Sequence, residues 1–217
     1  MNPLLNNHEG RHADFFKHEL LMINQTDSLS FANKGEDVII WPQAKIISPK
    51  VISIGNSVII DDFVFFMGGI SSILGNFVHI GSFTSITGGG EFRMHDFSGL
   101  SGGVRIYTGN EDYSGKCLTN PTVPYPYRIP IRSFVIIEKH AIIGANTVVL
   151  PGVTIKEGAA IGSNSLVTKD CKPWTIYAGS PCKEVKRRPK DEILKLEDRL
   201  LKEVFDQEGN YIRKELR

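Results

Sequence analysis

Cysteine, tryptophan and charge of one sign are scarce in this chain, and each scarcity narrows what the protein can be. Cys117, Cys171 and Cys182 are odd in number and show no C-x-x-C spacing, which fits reduced thiols better than a disulfide framework or a thiolate zinc site. Lys and Arg number 25 against 24 Asp and Glu, a formal net charge of +1, so no basic stripe points to nucleic acid as the main partner. No run of about 18 apolar residues occurs, which argues against a membrane-spanning helix. The opening MNPLLNNHEGR carries no apolar signal region, and the expected location is the cytoplasm. The two tryptophans, Trp41 and Trp174, read as packing residues. What remains is 217 residues with 41% apolar content, enough for one domain with appendages.

The chain does have a period. On a six-residue ruler, 131–170 reads IRSFVI, IEKHAI, IGANTV, VLPGVT, IKEGAA, IGSNSL, VTKD, with Ile131, Ile137, Ile143, Val149, Ile155, Ile161 and Val167 in the first column. A helix needs apolar residues at 3.6 and an ordinary strand at 2, so neither accounts for a strict 6. A short fixed repeat is the signature of a solenoid, here a parallel β-helix. Three six-residue faces close one triangular coil of 18, and the first column points inward. The fifth column holds Val135, Ala141, Thr147, Val153, Ala159 and Ser165. It is expected to need small or β-branched residues, because a Leu or Phe would meet the turn.

Upstream, the ruler appears weakly at Ile40 and Ile46, then as three triples: Ile54, Ile60, Phe66; Leu74, Ile80, Ile86; Met94, Leu100, Ile106. Each break between triples adds two residues at one corner, where Gly68, Gly69 and Gly88 to Gly90 cluster. Solenoids commonly place insertions on a working face, and absent side chains there permit unusual φ and close ligand approach. Between Ile106 and Ile131 the ruler stops in a segment rich in Pro, Gly and aromatics, predicted to be a functional loop at 107–130. Residues 12–22 predict a short amphipathic helix that covers the open prism end. Asp191 to Phe205 predict a second helix, capped by Asp191, with Ile193, Leu196, Leu200 and Val204 on one face. The expected division is 1–37 as helical cap, 38–188 as prism, and 189–217 as helix and tail.

The tandem [LIV]-G-x-x-x-x motif over about residues 54–188 resembles the hexapeptide-repeat acyltransferases. That resemblance implies an all-β fold, a left-handed parallel β-helix with triangular cross-section, a known exception to right-handed crossovers. It also implies a homotrimer with acetyl-CoA as acyl donor between neighbouring prisms, and a long loop reaching the adjacent subunit. Matched motif to motif, the cofactor role falls on Gly144, Ala145, Ser163, Thr168, Lys169 and Lys186, with Lys183, Arg187 and Arg188 extending a basic rim. No metal is implied.

Hydroxyl-directed relatives carry a general-base histidine in a T-x-H or T-G-H motif at the start of the long loop. The matching stretch is Tyr107-Thr108-Gly109-Asn110, and an amide is no base. An amine acceptor removes that need, because its neutral form is already nucleophilic. Glu111 or Asp112 would then orient the ammonium. This acidic loop looks like that of the nucleotide-linked amino-sugar N-acetyltransferases of surface-polysaccharide pathways. The catalytic candidates are therefore Asn110, Glu111 and Asp112, with His79 as a relocated base if the acceptor is instead a galactoside-like or maltose-like hydroxyl sugar. His95 is expected to point outward, and His140 is expected to be an exposed corner residue. A γ-type carbonic anhydrase would need three convergent histidines, and a non-catalytic trimeric scaffold would leave loop and basic rim without a purpose.

Overall fold

The computed structural model describes residues 29–212; the helix expected at 12–22 lies outside them. Short strands stack into three parallel faces of about seven coils, the left-handed β-helix that the family resemblance implies. Face 1 runs through Asn33–Lys34, Ile52–Ile54, Ser71–Leu74, Glu91–Met94, Phe134–Ile137 and Val153–Ile155. Face 2 runs through Ile39–Ile40, Ile59–Ile60, His79–Ile80, Gly99–Leu100, Ile142–Ile143, Ala160–Ile161 and Thr175–Ala178, with Lys183–Arg187 added antiparallel at its end. Face 3 runs through Lys45–Ile47, Phe65–Met67, Ser85–Thr87, Arg105–Tyr107, Val148–Val149 and Leu166–Val167. Asn33–Lys34 already pairs with Ser53–Ile54, so the prism begins inside the stretch assigned to the cap.

The coil length changes where the sequence says it should. Before the loop, equivalent groups are 20 residues apart, as in the bond from Asn56 N to Asn76 Oδ1. After it they are 18 apart, as in Ser165 N to Thr147 Oγ1. First-column residues from Ile54 to Val167 are buried in one continuous core, with the exception of Ile131. That residue is 52% exposed, because Ile131–Arg132 pairs antiparallel with Gly109–Asn110 at the neck of the loop. Its place on the ruler is a coincidence of phase.

The fifth column is also less restrictive than its composition suggests. Phe92 occupies it at 1% exposure and meets Phe66 edge to face, centroids 5.9 Å apart. Room for the ring comes from Ser72 in the coil above, which pairs with Phe92 in register and turns its hydroxyl to the Gly68 carbonyl, 2.9 Å away. One large and one small residue on successive rungs hold the packing constant.

Most corners turn through a left-handed residue. At the corner from face 1 to face 2 these include Asp37, Ser57, Phe77, Phe97, His140 and Trp174; at the corner from face 2 to face 3 they are Phe63, Phe83, Gly103, Asn146 and Asn164. Side chains of the first corner also carry the stack. Glu36 N, Asn56 N and Asn76 N donate in turn to Asn56 Oδ1, Asn76 Oδ1 and Asp96 Oδ1 at 2.8, 2.8 and 2.7 Å. At the corner from face 3 to face 1, a Cβ on Gly90 would lie 2.0 Å from the Ser133 carbonyl oxygen. The close approach there is backbone to backbone between coils.

His140 is not exposed but buried at 6%. Its ring stacks on Phe97 with centroids 5.1 Å apart, and Phe97 stacks on Phe77 at 4.8 Å. The edge of His140 meets Glu197 at 2.8 Å, and Lys139 pairs with the same carboxylate. Glu197 belongs to α1, Asp191–Val204. Asp191 is the first helical residue rather than the cap: Lys190 holds that place without a side-chain bond, and the acidic first turn suits the helix dipole. Of the expected apolar face only Val204 is buried, while Leu196 is 51% exposed. The ionic clamp at Glu197 therefore ties α1 to the prism alongside the Val204 contact.

Candidate active site

A hollow of about 1100 Å³ lies beside face 3, under the extruded loop. Its floor is the outer surface of successive coils: Met67, Thr87, Tyr107, Leu150 and Leu166, with Pro151 at the far corner. The loop supplies Asn110, Glu111, Tyr113, Pro121, Arg128 and Arg132. The loop takes this position because the Gly109–Asn110 and Ile131–Arg132 neck fixes both of its ends to the prism. Thr108, 2% exposed, ties the neck to the coil: its hydroxyl accepts from Gly90 N and donates to the Thr87 carbonyl, both at 2.9 Å.

Two of the four catalytic candidates meet here. Asn110 and Glu111 line the hollow. Arg128 grips Glu111 through Nε at 2.9 and 2.8 Å from the two carboxylate oxygens and through Nη2. That fork holds the Glu111 carboxyl below the usual range despite partial desolvation, so it stays ionised. Asp112 is not among the residues that line the hollow. Its oxygens accept from the Ser114 hydroxyl at 2.6 Å, Ser114 N at 2.9 Å, Lys116 N at 2.5 Å and Cys117 N at 3.1 Å, which holds its carboxyl far below the ordinary value. Within one protomer His79 is on another face. Its Nε2 sits 3.1 Å from Asp61 Oδ2 on face 2, with its side chain 54% exposed.

The cofactor candidates divide among three places. Gly144, Ala145 and Ser163 share the corner from face 2 to face 3, where a Cβ on Gly144 would lie 2.5 Å from Ser163 N and Asn164 N donates to the Ala145 carbonyl. Thr168 and Lys169 line a smaller hollow of about 270 Å³ with Lys183 and Cys182. Lys186 sits opposite Ile176 on the strand added to face 2. Arg188 leaves the basic rim: it donates to the His140 and Gly158 carbonyls at 2.9 Å and lies over Trp174. Arg128 and Arg132 also line the hollow, and their only signal in the sequence is two arginines in the proline-rich return YPYRIPIR. Among the described residues no group of three His, Cys, Asp or Glu could hold a metal ion.

A hexapeptide prism with a loop arching over a cleft on its flank is the architecture of the hexapeptide-repeat transferases. The chain belongs to the bacterial transferase hexapeptide family, whose model (six repeats) matches residues 134–169. A dTDP-4-amino-4,6-dideoxy-D-glucose acyltransferase of Escherichia coli is 41% identical over 174 residues, 80% of this chain and 90% of that protein. The N-acyltransferase AntD from Bacillus cereus, solved with dTDP and 3-hydroxybutyryl-CoA, has a TM-score of 0.77 at 36% identity, covering 83% of this chain and 95% of that one. A variant of AntD solved with dTDP-4-amino-4,6-dideoxyglucose and coenzyme A matches equally well, with a TM-score of 0.77.

Proposed function

We propose that this chain transfers an acyl group from acyl-CoA to the amine of a nucleotide-linked amino sugar of the dTDP-4-amino-4,6-dideoxyglucose kind, in the cytoplasm, as a step toward surface polysaccharide. The observation that carries the reading is near full-length similarity to a dTDP-4-amino-4,6-dideoxy-D-glucose acyltransferase and to the N-acyltransferase AntD, joined to Asn110 and Glu111 standing in the cleft where a hydroxyl acceptor would need a histidine. The donor is acetyl-CoA or a longer acyl-CoA. It is assigned to Gly144, Ala145, Ser163, Thr168 and Lys169, with its phosphates toward Lys186. The working unit is a homotrimer whose 107–130 loop reaches the neighbouring prism.

An ammonium entering the cleft is held by Glu111, which Arg128 keeps ionised and aimed. One proton leaves to water, and the neutral amine attacks the thioester carbonyl. The amide bond forms as the carbon–sulfur bond breaks. The thiolate of CoA takes a proton, and the second amine proton is lost. Asn110 supplies an amide to orient the reacting groups, and Asp112 shapes the loop that presents both. No base of matched pKa is required, in contrast to hydroxyl transfer.

Incubating the protein with acetyl-CoA or 3-hydroxybutyryl-CoA and a panel of nucleotide-linked amino sugars and simple galactosides tests this by mass spectrometry. Amide product from the amino sugars is expected; ester product from hydroxyl sugars alone would favour the alternative, O-acetylation with the Asp61-paired His79 as base.

A further inference from the structure

Two phenylalanines adopt a backbone that bulky residues avoid, yet leave their rings in solvent. Phe63 (φ 61°) and Phe83 (φ 62°) occupy the left-handed position of the corner from face 2 to face 3 in successive coils. Their rings stack with centroids 5.1 Å apart and 7° between planes, at 50% and 61% exposure. Phe77 and Phe97 share this strained backbone at the neighbouring corner, but there His140 and Tyr211 cover them. Later coils fill the Phe63–Phe83 position with Gly103, Asn146 and Asn164, the residue types that tolerate left-handed φ. Strain without burial marks a place kept for contact with something outside the protomer.

The surroundings say what kind of contact. The next residue on this line after Phe83 is Gly103, so the ladder of rings stops and the far face of the Phe83 ring is left open. At the root of the missing rung lies the Asn146 carboxamide, whose Oδ1 is 2.2 Å from where a Gly103 Cβ would be. Beside it, the Arg105 guanidinium donates to the carbonyl oxygens of Phe83, Gly103 and Val104. An open aromatic face with an amide and a cation at its edge fits a planar, hydrogen-bonding ring that carries phosphate. Along the same corner, toward the C-terminal end, follow Gly144, Ala145 and Ser163, to which the donor is assigned, so an acceptor would approach from the Phe63 end.

We infer that the Phe63–Phe83 stack is the platform on which the nucleobase of the acceptor lies, with Arg105 facing its phosphates. The inference rests on the reading of the chain as a nucleotide-sugar acyltransferase and adds the acceptor's recognition site. Calorimetric titration of the full-length protein with thymidine 5′-diphosphate, and separately with coenzyme A, tests it on wild type, Phe83→Asn and Phe83→Leu. Asparagine suits the left-handed corner, so Phe83→Asn is expected to fold and melt no lower than wild type. It should weaken thymidine diphosphate by about 10-fold or more, the scale of one lost base–aromatic stack, and leave coenzyme A affinity and oligomeric mass as they were. Phe83→Leu should fall between.

Equal thymidine diphosphate affinity in wild type and Phe83→Asn overturns the platform alone. A smaller oligomeric mass in Phe83→Asn, with both ligands weakened, overturns it in favour of a contact between copies of the chain. Full affinity in Phe83→Leu shows apolar contact without ring stacking and also overturns it. A wild type that binds no nucleoside diphosphate removes the inference together with the proposed function.

Discussion

Replacing Ile143 tests the packing logic at its most constrained point. The side chain is 1% exposed and stands between Leu100 and Ile161, its partners in register on face 2. The coils on either side are fixed by backbone bonds, Ser101 N to the Ile143 carbonyl at 2.9 Å and Gly144 N to the Ile161 carbonyl at 2.7 Å, so the site has little freedom to collapse onto a void. Truncation of a buried Ile to Ala costs about 2–5 kcal/mol, more where relaxation is blocked, which places Ile143→Ala near 4 kcal/mol, roughly the upper half of that range. Ile143→Asp adds an unpaired charge in a dry core, several kcal/mol more, and should leave no folded protein. Denaturant unfolding followed by circular dichroism at one fixed protomer concentration gives both values. A loss under about 1 kcal/mol for Ile143→Ala, or a soluble and cooperatively melting Ile143→Asp, would refute the stacked-column account.

Three further outcomes follow from particular contacts. Lys186→Ala should raise KM for acyl-CoA more than it lowers kcat, because a phosphate contact remote from the thioester contributes uniform binding; an unchanged KM would move the phosphates elsewhere. Glu111→Gln should lower acceptor affinity and turnover together while the loop keeps its shape, whereas Asp112→Asn should loosen the loop, read as faster proteolysis between 112 and 128. Equal protease resistance of the two variants would deny Asp112 its turn-building role. Glu197→Gln should lower the melting temperature at pH 7. Burial pushes the Glu197 carboxyl up, but Lys139 and His140 together hold it below its ordinary value of 4.5. The carboxylate's contribution is therefore complete above that value and fades as pH falls through the depressed folded one, so wild type and variant should converge under acid, and a gap that widens there would contradict the clamp.

What the sequence shows of this protein is set by which contacts repeat. The first column is visible because each inward side chain touches its own kind one coil away, and the 20-residue and 18-residue coils follow from counting. Ile131 misleads for the same reason: a ruler reports phase and says nothing of the antiparallel neck that lifts this residue into solvent. His140 reads as a polar corner residue because its partner Glu197 is 57 positions away on a helix outside the repeat. Glu111 is visible in the sequence as a carboxylate of the loop motif, but its partner Arg128, 17 residues on in an irregular segment, has no period to betray it. The corner phenylalanines did leave a trace. Phe63 and Phe83, like Phe77 and Phe97, recur 20 residues apart at one fixed place before the fifth column, a repeat that hydrophobic counting alone treats as noise.

The nucleophile of this reaction is proposed to be an amine, which needs no histidine. Initial rates of transfer from acetyl-CoA to dTDP-4-amino-4,6-dideoxyglucose, measured across pH for wild type and His79→Asn, address it most directly. An amine nucleophile gives an N-acylated product, rates that rise with pH toward the pKa of the acceptor amine, and a His79→Asn variant that loses far less than the roughly 10²–10⁴-fold tied to a general base. Transfer to a sugar hydroxyl, with a pH profile set by an imidazole and a loss of that full size in His79→Asn, would contradict it.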